Sequence, residues 1–110
     1  MKLPNYNNAI IDTRKILDYC LNNNHKLGRH KARKFREILG LELKDSSILI
    51  NKIYEALATN EAISKGKNDF GDLFVLDFTM EFNNCKAEIR TSWIILNNEF
   101  FPRLTSCYIK

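Results

Sequence analysis

The spacing of apolar residues changes near residue 60, and this change restricts the fold more than any other feature. Between residues 74 and 82, large apolar side chains occupy every second position, with mostly polar residues between them. Such alternation is typical of a strand with one buried face. Before residue 60, apolar residues recur at the spacing of amphipathic helices. The sequence therefore predicts an α+β domain in which N-terminal helices pack on a C-terminal antiparallel sheet of three to four strands.

Three helices are predicted in the first half. The first runs from residue 12 to about residue 22, with Asp12 as its N-cap. The second runs from residue 28 to 39 and ends at Gly40, a residue typical of helix C-termini. The third begins at Asp45-Ser46. The second helix is predicted to bury Ala32, Phe35, Ile38 and Leu39. The third carries Ile50, Ile53, Tyr54, Leu57 and Ala58 at helical spacing.

The second half is predicted to form consecutive strands joined by short links. Strands are expected over residues 74 to 82, 86 to 96 and 104 to 109, with an added edge strand at 62 to 66. Asn83-Asn84 and Asn97-Asn98 are the turn signals between them. Short links favour antiparallel pairing, because parallel strands need a longer crossover. The three longer predicted strands are expected to place Phe74, Phe78, Phe82 and Trp93 against the helices.

The bulk properties favour one cytoplasmic domain. The 110 residues allow one hydrophobic core, and a domain spanning 1 to 110 is expected. A net charge of +4 favours acidic partners such as RNA, DNA or an acidic protein. No apolar run predicts a signal peptide or a membrane span. The three cysteines form no C-x-x-C pair, so neither a disulfide framework nor a zinc site is indicated.

Residues 25 to 34 form a basic cluster that contains both histidines of the chain. It is a candidate for phosphate binding and for proton transfer near neutral pH. On a helical wheel, His30 and Lys34 point away from the buried stripe, whereas Lys31 lies at its edge. Arg29 and Arg36 border its other side. A solvated basic face explains the cluster equally well.

A second candidate lies on the predicted sheet. Alternation places Arg90 and Ser92 on one face, where a guanidinium beside a hydroxyl can hold a phosphate. The alternative is a cross-strand ion pair between Arg90 and either Asp77 or Glu81, which is the more common role for such an arginine. In the last strand, alternation predicts that Arg103, Thr105 and Cys107 face one way and that Ser106 and Tyr108 face the other.

Known motifs restrict the chemistry. The chain has no P-loop, no G-x-G-x-x-G, no H-E-x-x-H and no carboxylate cluster for a two-metal nuclease. We therefore expect neither a metal site nor a cofactor. The remaining basic and hydroxyl groups suit RNA cleavage through the 2′-hydroxyl, which needs a base, an acid and cations around the phosphorane.

Several segments follow the pattern of a known family. They are Leu3-Pro4-Asn5, Ala9-Ile10-Ile11-Asp12, Asp18-Tyr19, Leu21-Asn22, His25, Gly28-Arg29-His30-Lys31-Ala32-Arg33, Leu39-Gly40, Ser92-Trp93-Ile94 and Phe101-Pro102-Arg103-Leu104-Thr105-Ser106-Cys107-Tyr108. In these segments the chain resembles one bacterial family catalogued as a domain of unknown function, which implies a short protein beside a small partner gene or a C-terminal domain of a toxin-like protein.

The layout also resembles the barnase–EndoU–colicin–RelE ribonuclease toxins, which implies a metal-independent endoribonuclease acting on tRNA or mRNA and neutralised by a small antitoxin. The catalytic residues implied are His25, His30, Lys31, Arg90, Thr105 and Tyr108. The substrate-binding residues implied are Arg29, Arg33, Ser92 and Arg103. Two alternatives stay open: a non-catalytic interaction module, such as an antitoxin or immunity protein, and a nucleic-acid-binding domain without catalysis.

Overall fold

A computed structural model of the protein describes residues 1 to 16, 21 and 29 to 110, without the side chains of Lys15, Arg29, His30 and Lys31. Helical segments come first and a four-stranded antiparallel sheet follows, which confirms the α+β prediction. The helices are α1 (Thr13–Lys15), α2 (Arg29–Lys34), which continues into a π-helical turn (Phe35–Leu39), and α3 (Ser46–Thr59). The strands are β1 (Ala62–Lys67), β2 (Gly71–Phe82), β3 (Cys85–Leu96) and β4 (Arg103–Ile109).

The strands follow one another in the order β1-β2-β3-β4, each antiparallel to the next. β2 and β3 form the longest pairing, a hairpin closed at Phe82 and Cys85. Asn83 and Asn84 make its turn with φ angles of 53° and 63°. Asparagine tolerates this left-handed conformation, and a two-residue turn of this kind matches the twist of the strands. The predicted strands, the first turn and the edge strand β1 are therefore confirmed.

β4 carries a bulge that corrects one prediction. Ser106 lies opposite Ser92, but Leu104 lies opposite Trp93, so Thr105 is an extra residue without a partner on β3. Such a bulge shifts the alternation by one position. Arg103 consequently lies on the same face as Ser106 and Tyr108. The prediction that it shares a face with Cys107 is wrong.

The inner face of the sheet holds the core. Phe74, Phe78 and Trp93 are buried there against the helices, as predicted, and Phe82 packs at the margin of the core. Thr91 is fully buried beneath Trp93. Its hydroxyl accepts a hydrogen bond from the Trp93 indole N–H at 2.8 Å and donates one to the Leu76 carbonyl at 2.7 Å. This chain of bonds satisfies the polar groups that the core encloses.

The described helix ends at Asp12, Gly40 and Ser46 agree with prediction, whereas the predicted end of the first helix near residue 22 and the start of the second at residue 28 lie outside the described residues. Two buried stripes differ from prediction. Asp12 caps α1 by accepting the Arg14 backbone N–H at 2.9 Å, as predicted. Leu39 is buried, but Ile38 is 41% exposed, because the wider π-helical turn rotates it off the stripe. In α3, Ile53 and Leu57 are buried as predicted, whereas Tyr54 is exposed and Ala56 takes its place.

Gly40 ends the second helix with a φ of 72°, a conformation that glycine adopts without strain. Its N–H donates to the Arg36 carbonyl at 2.9 Å. The chain then turns so that Leu41 is buried directly after the helix. Over the described residues, no helix is long and apolar enough to cross a membrane.

Candidate functional site

The sheet separates two very different surfaces. The helices cover its inner face, and the outer face carries the alternate residues of the same strands. Three predicted site residues, Arg90, Ser92 and Tyr108, lie on the outer face, where Arg90 pairs in register with Tyr108. Arg103 joins them because of the bulge at Thr105. The structure therefore brings together most of the sheet candidates on one surface.

An ion cluster occupies the middle of this outer face. Arg90 donates from Nε and Nη2 to the two carboxylate oxygens of Asp77, both at 2.9 Å. Lys110 Nζ donates to Asp77 Oδ2 at 3.0 Å. The Asp77 side chain is 22% exposed and that of Arg90 is 28% exposed. The cross-strand ion pair weighed as the alternative role of Arg90 is thus confirmed, with Asp77 rather than Glu81 as its partner, and two cations share one carboxylate.

The cluster fixes the protonation states of its members. The hydrogen bond from Arg90 holds the pKa of Asp77 below its usual value, against the opposing effect of burial, and Lys110 lowers it further. The same bond with Asp77 raises the pKa of Arg90, and a hydrogen bond with Tyr108 adds to the rise. At neutral pH, the lowered pKa keeps Asp77 ionised and the raised pKa keeps Arg90 charged, so the bidentate pair joins two full charges.

Hydroxyl groups surround this cluster. Ser92 and Ser106 lie opposite each other on β3 and β4. On this face they are the next pair along the two strands after Arg90 and Tyr108. Thr105 is exposed at the bulge on the outer edge strand. Together with the Tyr108 phenol, these groups can accept or donate hydrogen bonds beside a bound anion.

Arg103 lies toward one end of the same face and has a different environment. It donates from Nε and Nη2 to the two Glu99 oxygens, both at 2.8 Å. Its guanidinium also stacks 5.0 Å from the centre of the Phe101 ring. The bond from Arg103 lowers the pKa of Glu99, and Glu99 raises the pKa of Arg103. Here one carboxylate neutralises one arginine.

The basic cluster predicted at residues 25 to 34 is described only in part. His25 lies outside the described residues. Arg29, His30 and Lys31 belong to α2 by backbone, but their side chains are not described. Arg33 and Lys34 are exposed, as the wheel predicts for Lys34. α2 contacts β4 and leads into Phe35 and Leu39 of the core, which places its backbone on the inner side of the sheet. The backbone of α2 and the outer-face candidates thus lie on opposite sides of the sheet, and α2 approaches the sheet at β4.

The sequence analysis missed one member of the outer-face site, Lys110, and did not foresee that Asp77 binds it. Lys110 continues the alternation of Ser106 and Tyr108, so the period-two pattern extended by one residue would have placed it on this face. Asp77 was considered only as a partner for Arg90, and its bond to Lys110 depends on the register of β4 against β3. Within the described ranges, no three His, Cys, Asp or Glu residues lie close enough together to hold a metal ion.

Comparison with known proteins identifies the family. The model described as "Domain of unknown function (DUF6883)" matches residues 2–110. The chain belongs to this family. The match confirms the resemblance to a domain of unknown function that the sequence segments indicated. No curated protein matches the chain.

A chain of a solved complex is similar to this DUF6883 domain over nearly its whole length. It belongs to the "Contact-dependent growth inhibition toxin - immunity protein complex from Klebsiella pneumoniae 342", with a TM-score of 0.67 and 15% sequence identity. The match covers 92% of this chain and 99% of the matched chain. At this identity, the similarity shows a shared fold.

Proposed function

We propose that this domain is the toxin of a toxin–immunity or toxin–antitoxin pair, and that it cleaves RNA without a metal ion through attack by the 2′-hydroxyl. The observation that carries the proposal is the Arg90–Asp77–Lys110 cluster, with Tyr108 in contact, on a sheet face that the described helices leave uncovered. The fold shared with a chain of a toxin–immunity complex supports a role in such a pair.

Asp77 orients both cations without occupying all their donors. Arg90 has five N–H groups and uses two of them on Asp77, and Lys110 uses one of its three. The remaining donors can bind the two non-bridging oxygens of a phosphodiester. Charge that develops on the phosphorane is then stabilised by groups already held in place, which is the most effective form of transition-state stabilisation. Tyr108 and Ser92 position the phosphate from the neighbouring strand positions.

Proton transfer is assigned to the histidines. An RNA strand that crosses the β4 edge would contact α2 on one side and the outer face on the other, with exposed Thr105 between them. In this arrangement, Arg29, Arg33 and Arg103 bind backbone phosphates on either side of the cut. One of His25 and His30 takes the 2′ proton and the other protonates the leaving 5′-oxygen, while Lys31 adds charge stabilisation. This requires their side chains to reach around the β4 edge to the phosphate that Arg90 holds.

The direct test is cleavage of a purified tRNA or mRNA in excess EDTA. We expect products with a 2′,3′-cyclic phosphate and a 5′-hydroxyl, because attack by the neighbouring 2′-oxygen creates these ends. A DNA strand, or an RNA with a 2′-methoxy group at the cut site, should stay intact. Products with 5′-phosphates, or activity abolished by EDTA, would refute this mechanism.

Variants of the basic cluster at residues 25 to 34 test whether it acts in RNA cleavage or is only a solvated surface. His25→Ala, His30→Ala and Lys31→Ala should each reduce cleavage while leaving cooperative unfolding in place. Arg36→Ala is the matched control, since Arg36 is exposed on the same helical segment and has no assigned role. If a folded His25→Ala/Lys31→Ala double variant cleaves at the normal rate, the cluster is a solvated basic face.

The competing role is a non-catalytic immunity protein or antitoxin, because the similar structure contains a toxin and an immunity protein. Such a protein would leave RNA intact and would protect a host from a second protein. We expect the toxin to act in the cytoplasm, where its RNA substrates and its small protein partner are found. The cleavage assay distinguishes the two roles directly.

A further inference from the structure

The two neighbours of β2 differ greatly in length. β3 pairs with β2 along all twelve of its residues, whereas β1 reaches only as far as the pairing of Ala62 with Leu76. Among the described residues, positions 77 to 82 of β2 therefore have a strand on one side only. Although β2 lies inside the sheet, its second half therefore forms a sheet edge.

The backbone groups of this edge are arranged to receive a strand. The Asp77 carbonyl accepts a hydrogen bond from the Asn60 side-chain amide at 3.0 Å, on the side away from β3. Because backbone groups alternate in direction along a strand, Thr79 and Glu81 point their N–H and C=O groups to the same side. Asn60 makes the first bond that an added strand would make, and the next two residues continue the row.

A groove runs beside the same edge. A pocket of about 330 Å³ lies between α3 and β2, lined by Lys52, Glu55, Ala56, Asn60, Phe78 and Thr79. Ala56 and Phe78 give it an apolar floor, and Lys52 pairs with Glu55 at 3.5 Å on its rim. A strand laid along positions 77 to 82 would place alternate side chains toward this pocket.

The other edges of the sheet carry features that discourage pairing. β1 has a bulge between Ser64 and Lys67 and exposes two lysines, and β4 has the Thr105 bulge and a bridge to Ile10. Bulges and edge lysines are the usual protection against unwanted strand addition. Positions 77 to 82 pair with β3 in unbroken register and contain no proline. Compared with the edges at β1 and β4, the edge at positions 77 to 82 has a regular strand backbone without a bulge.

We propose that positions 77 to 82 of β2 form a docking site for an extended segment of a partner protein, which adds to the sheet as a strand and places one side chain in the α3–β2 pocket. A polypeptide is the occupant that the edge selects, because only another backbone matches the repeat of its N–H and C=O groups. The inference concerns protein binding and stands apart from the proposed RNA cleavage.

Amide hydrogen exchange tests whether the edge is open. In the free protein, the Thr79 and Glu81 amides should exchange at least about tenfold faster than those of Phe78 and Met80, which face β3. The four residues are adjacent, so each pair is the control for the other. Equal protection of all four amides would show that the edge is already occupied and would overturn the proposal.

Binding is tested with a displayed library of random twelve-residue peptides selected on the full chain. Selected peptides should slow exchange at Thr79 and Glu81 and should lose about tenfold or more in affinity for Thr79→Pro, which lacks an edge N–H. Thr79→Ala keeps the N–H and should bind nearly as well as the original. Both variants must first unfold cooperatively.

Three outcomes would contradict the proposal. Peptides that bind Thr79→Pro and Thr79→Ala equally would place the site elsewhere. Protection of Thr79 and Glu81 that grows with protein concentration alone would assign the edge to a second copy. Protection of these amides by an RNA oligonucleotide, with no peptide able to cause it, would assign the edge to nucleic acid.

Discussion

The two faces of the sheet use neighbouring residues for opposite purposes. On β3, Ile89 and Thr91 are fully buried on the inner face, and the alternate residues Arg90 and Ser92 are partly exposed on the outer face. The buried part of the inner face is apolar apart from Thr91, which bonds the Trp93 indole. The outer face places two cations on one carboxylate. Changes to the inner face should therefore alter stability first, and changes to the outer face should alter activity first.

The largest effect is expected on the inner side. Phe35→Ala removes a ring that is completely buried, and it should lower the free energy of unfolding by about 3–5 kcal/mol because it leaves a cavity. Chemical denaturation measures this loss.

Ile53→Val, at a similarly buried position, should cost about 0.5–1.5 kcal/mol and stays measurable if Phe35→Ala does not fold. Phe70→Ala is the matched control: its ring is 69% exposed, and its loss should change stability by less than about 0.5 kcal/mol.

The second-largest effect is expected on the rate of RNA cleavage, from a change on the outer face. Arg90→Ala should slow RNA cleavage by roughly 100- to 1000-fold, the usual loss when one transition-state charge stabiliser is removed. Arg90→Lys keeps the charge without the planar fork and should recover only part of the rate. Single-turnover kinetics on one RNA substrate measures each rate.

Arg103→Ala is the comparison for Arg90, because Arg103 has the same bidentate geometry but pairs with Glu99 and lies outside the Asp77 cluster. Its removal should raise KM and leave kcat nearly unchanged, as expected for a residue that binds substrate uniformly. Equal losses of kcat for both variants would mean that the Asp77 cluster has no special role.

Alternation predicted which β3 residues share a face, and it placed Arg90 and Ser92 together correctly. It failed on β4, because the bulge at Thr105 depends on pairing with β3 and leaves no local mark in the sequence. It also could not place the helix cluster: a wheel gives direction around α2 but not the side of the sheet on which α2 packs. The Arg90–Asp77 pair was predictable because hairpin register follows from the Asn83-Asn84 turn. The contribution of Lys110 required the register of a second pairing.

A smaller stability effect is expected at Thr91. Thr91→Val keeps the shape of the side chain but removes the hydroxyl, leaving the Trp93 indole N–H and the Leu76 carbonyl without this partner in the core. We expect a loss of about 1–3 kcal/mol in the free energy of unfolding. Thr91→Ser retains the hydroxyl and should lose less. If Thr91→Val is as stable as the original, the buried hydrogen bonds contribute nothing net.

The smallest effect concerns pH. The bonds from Arg90 and Lys110 hold the pKa of Asp77 in the folded protein below its ordinary value, so the ionised form is favoured by folding. Its contribution to stability is fully present above that value and is lost as the pH falls through the lower folded pKa. Asp77→Asn should therefore flatten the stability change on the acid side of pH 4, by about 0.2–1 kcal/mol for a pair that solvent reaches. Thermal unfolding at several pH values measures the difference, and identical acid profiles would contradict the assignment.

The most direct test of the central claim, that the outer face is the active face of a toxin, is growth after induced expression in a bacterial host. We expect the original chain to arrest growth. An Arg90→Ala/Tyr108→Phe variant should not, at equal soluble amount and with cooperative unfolding retained. Phe70→Ala, which changes an exposed ring away from the cluster, should arrest growth like the original. Normal growth with the original chain, or equal arrest by the folded double variant, would contradict the account.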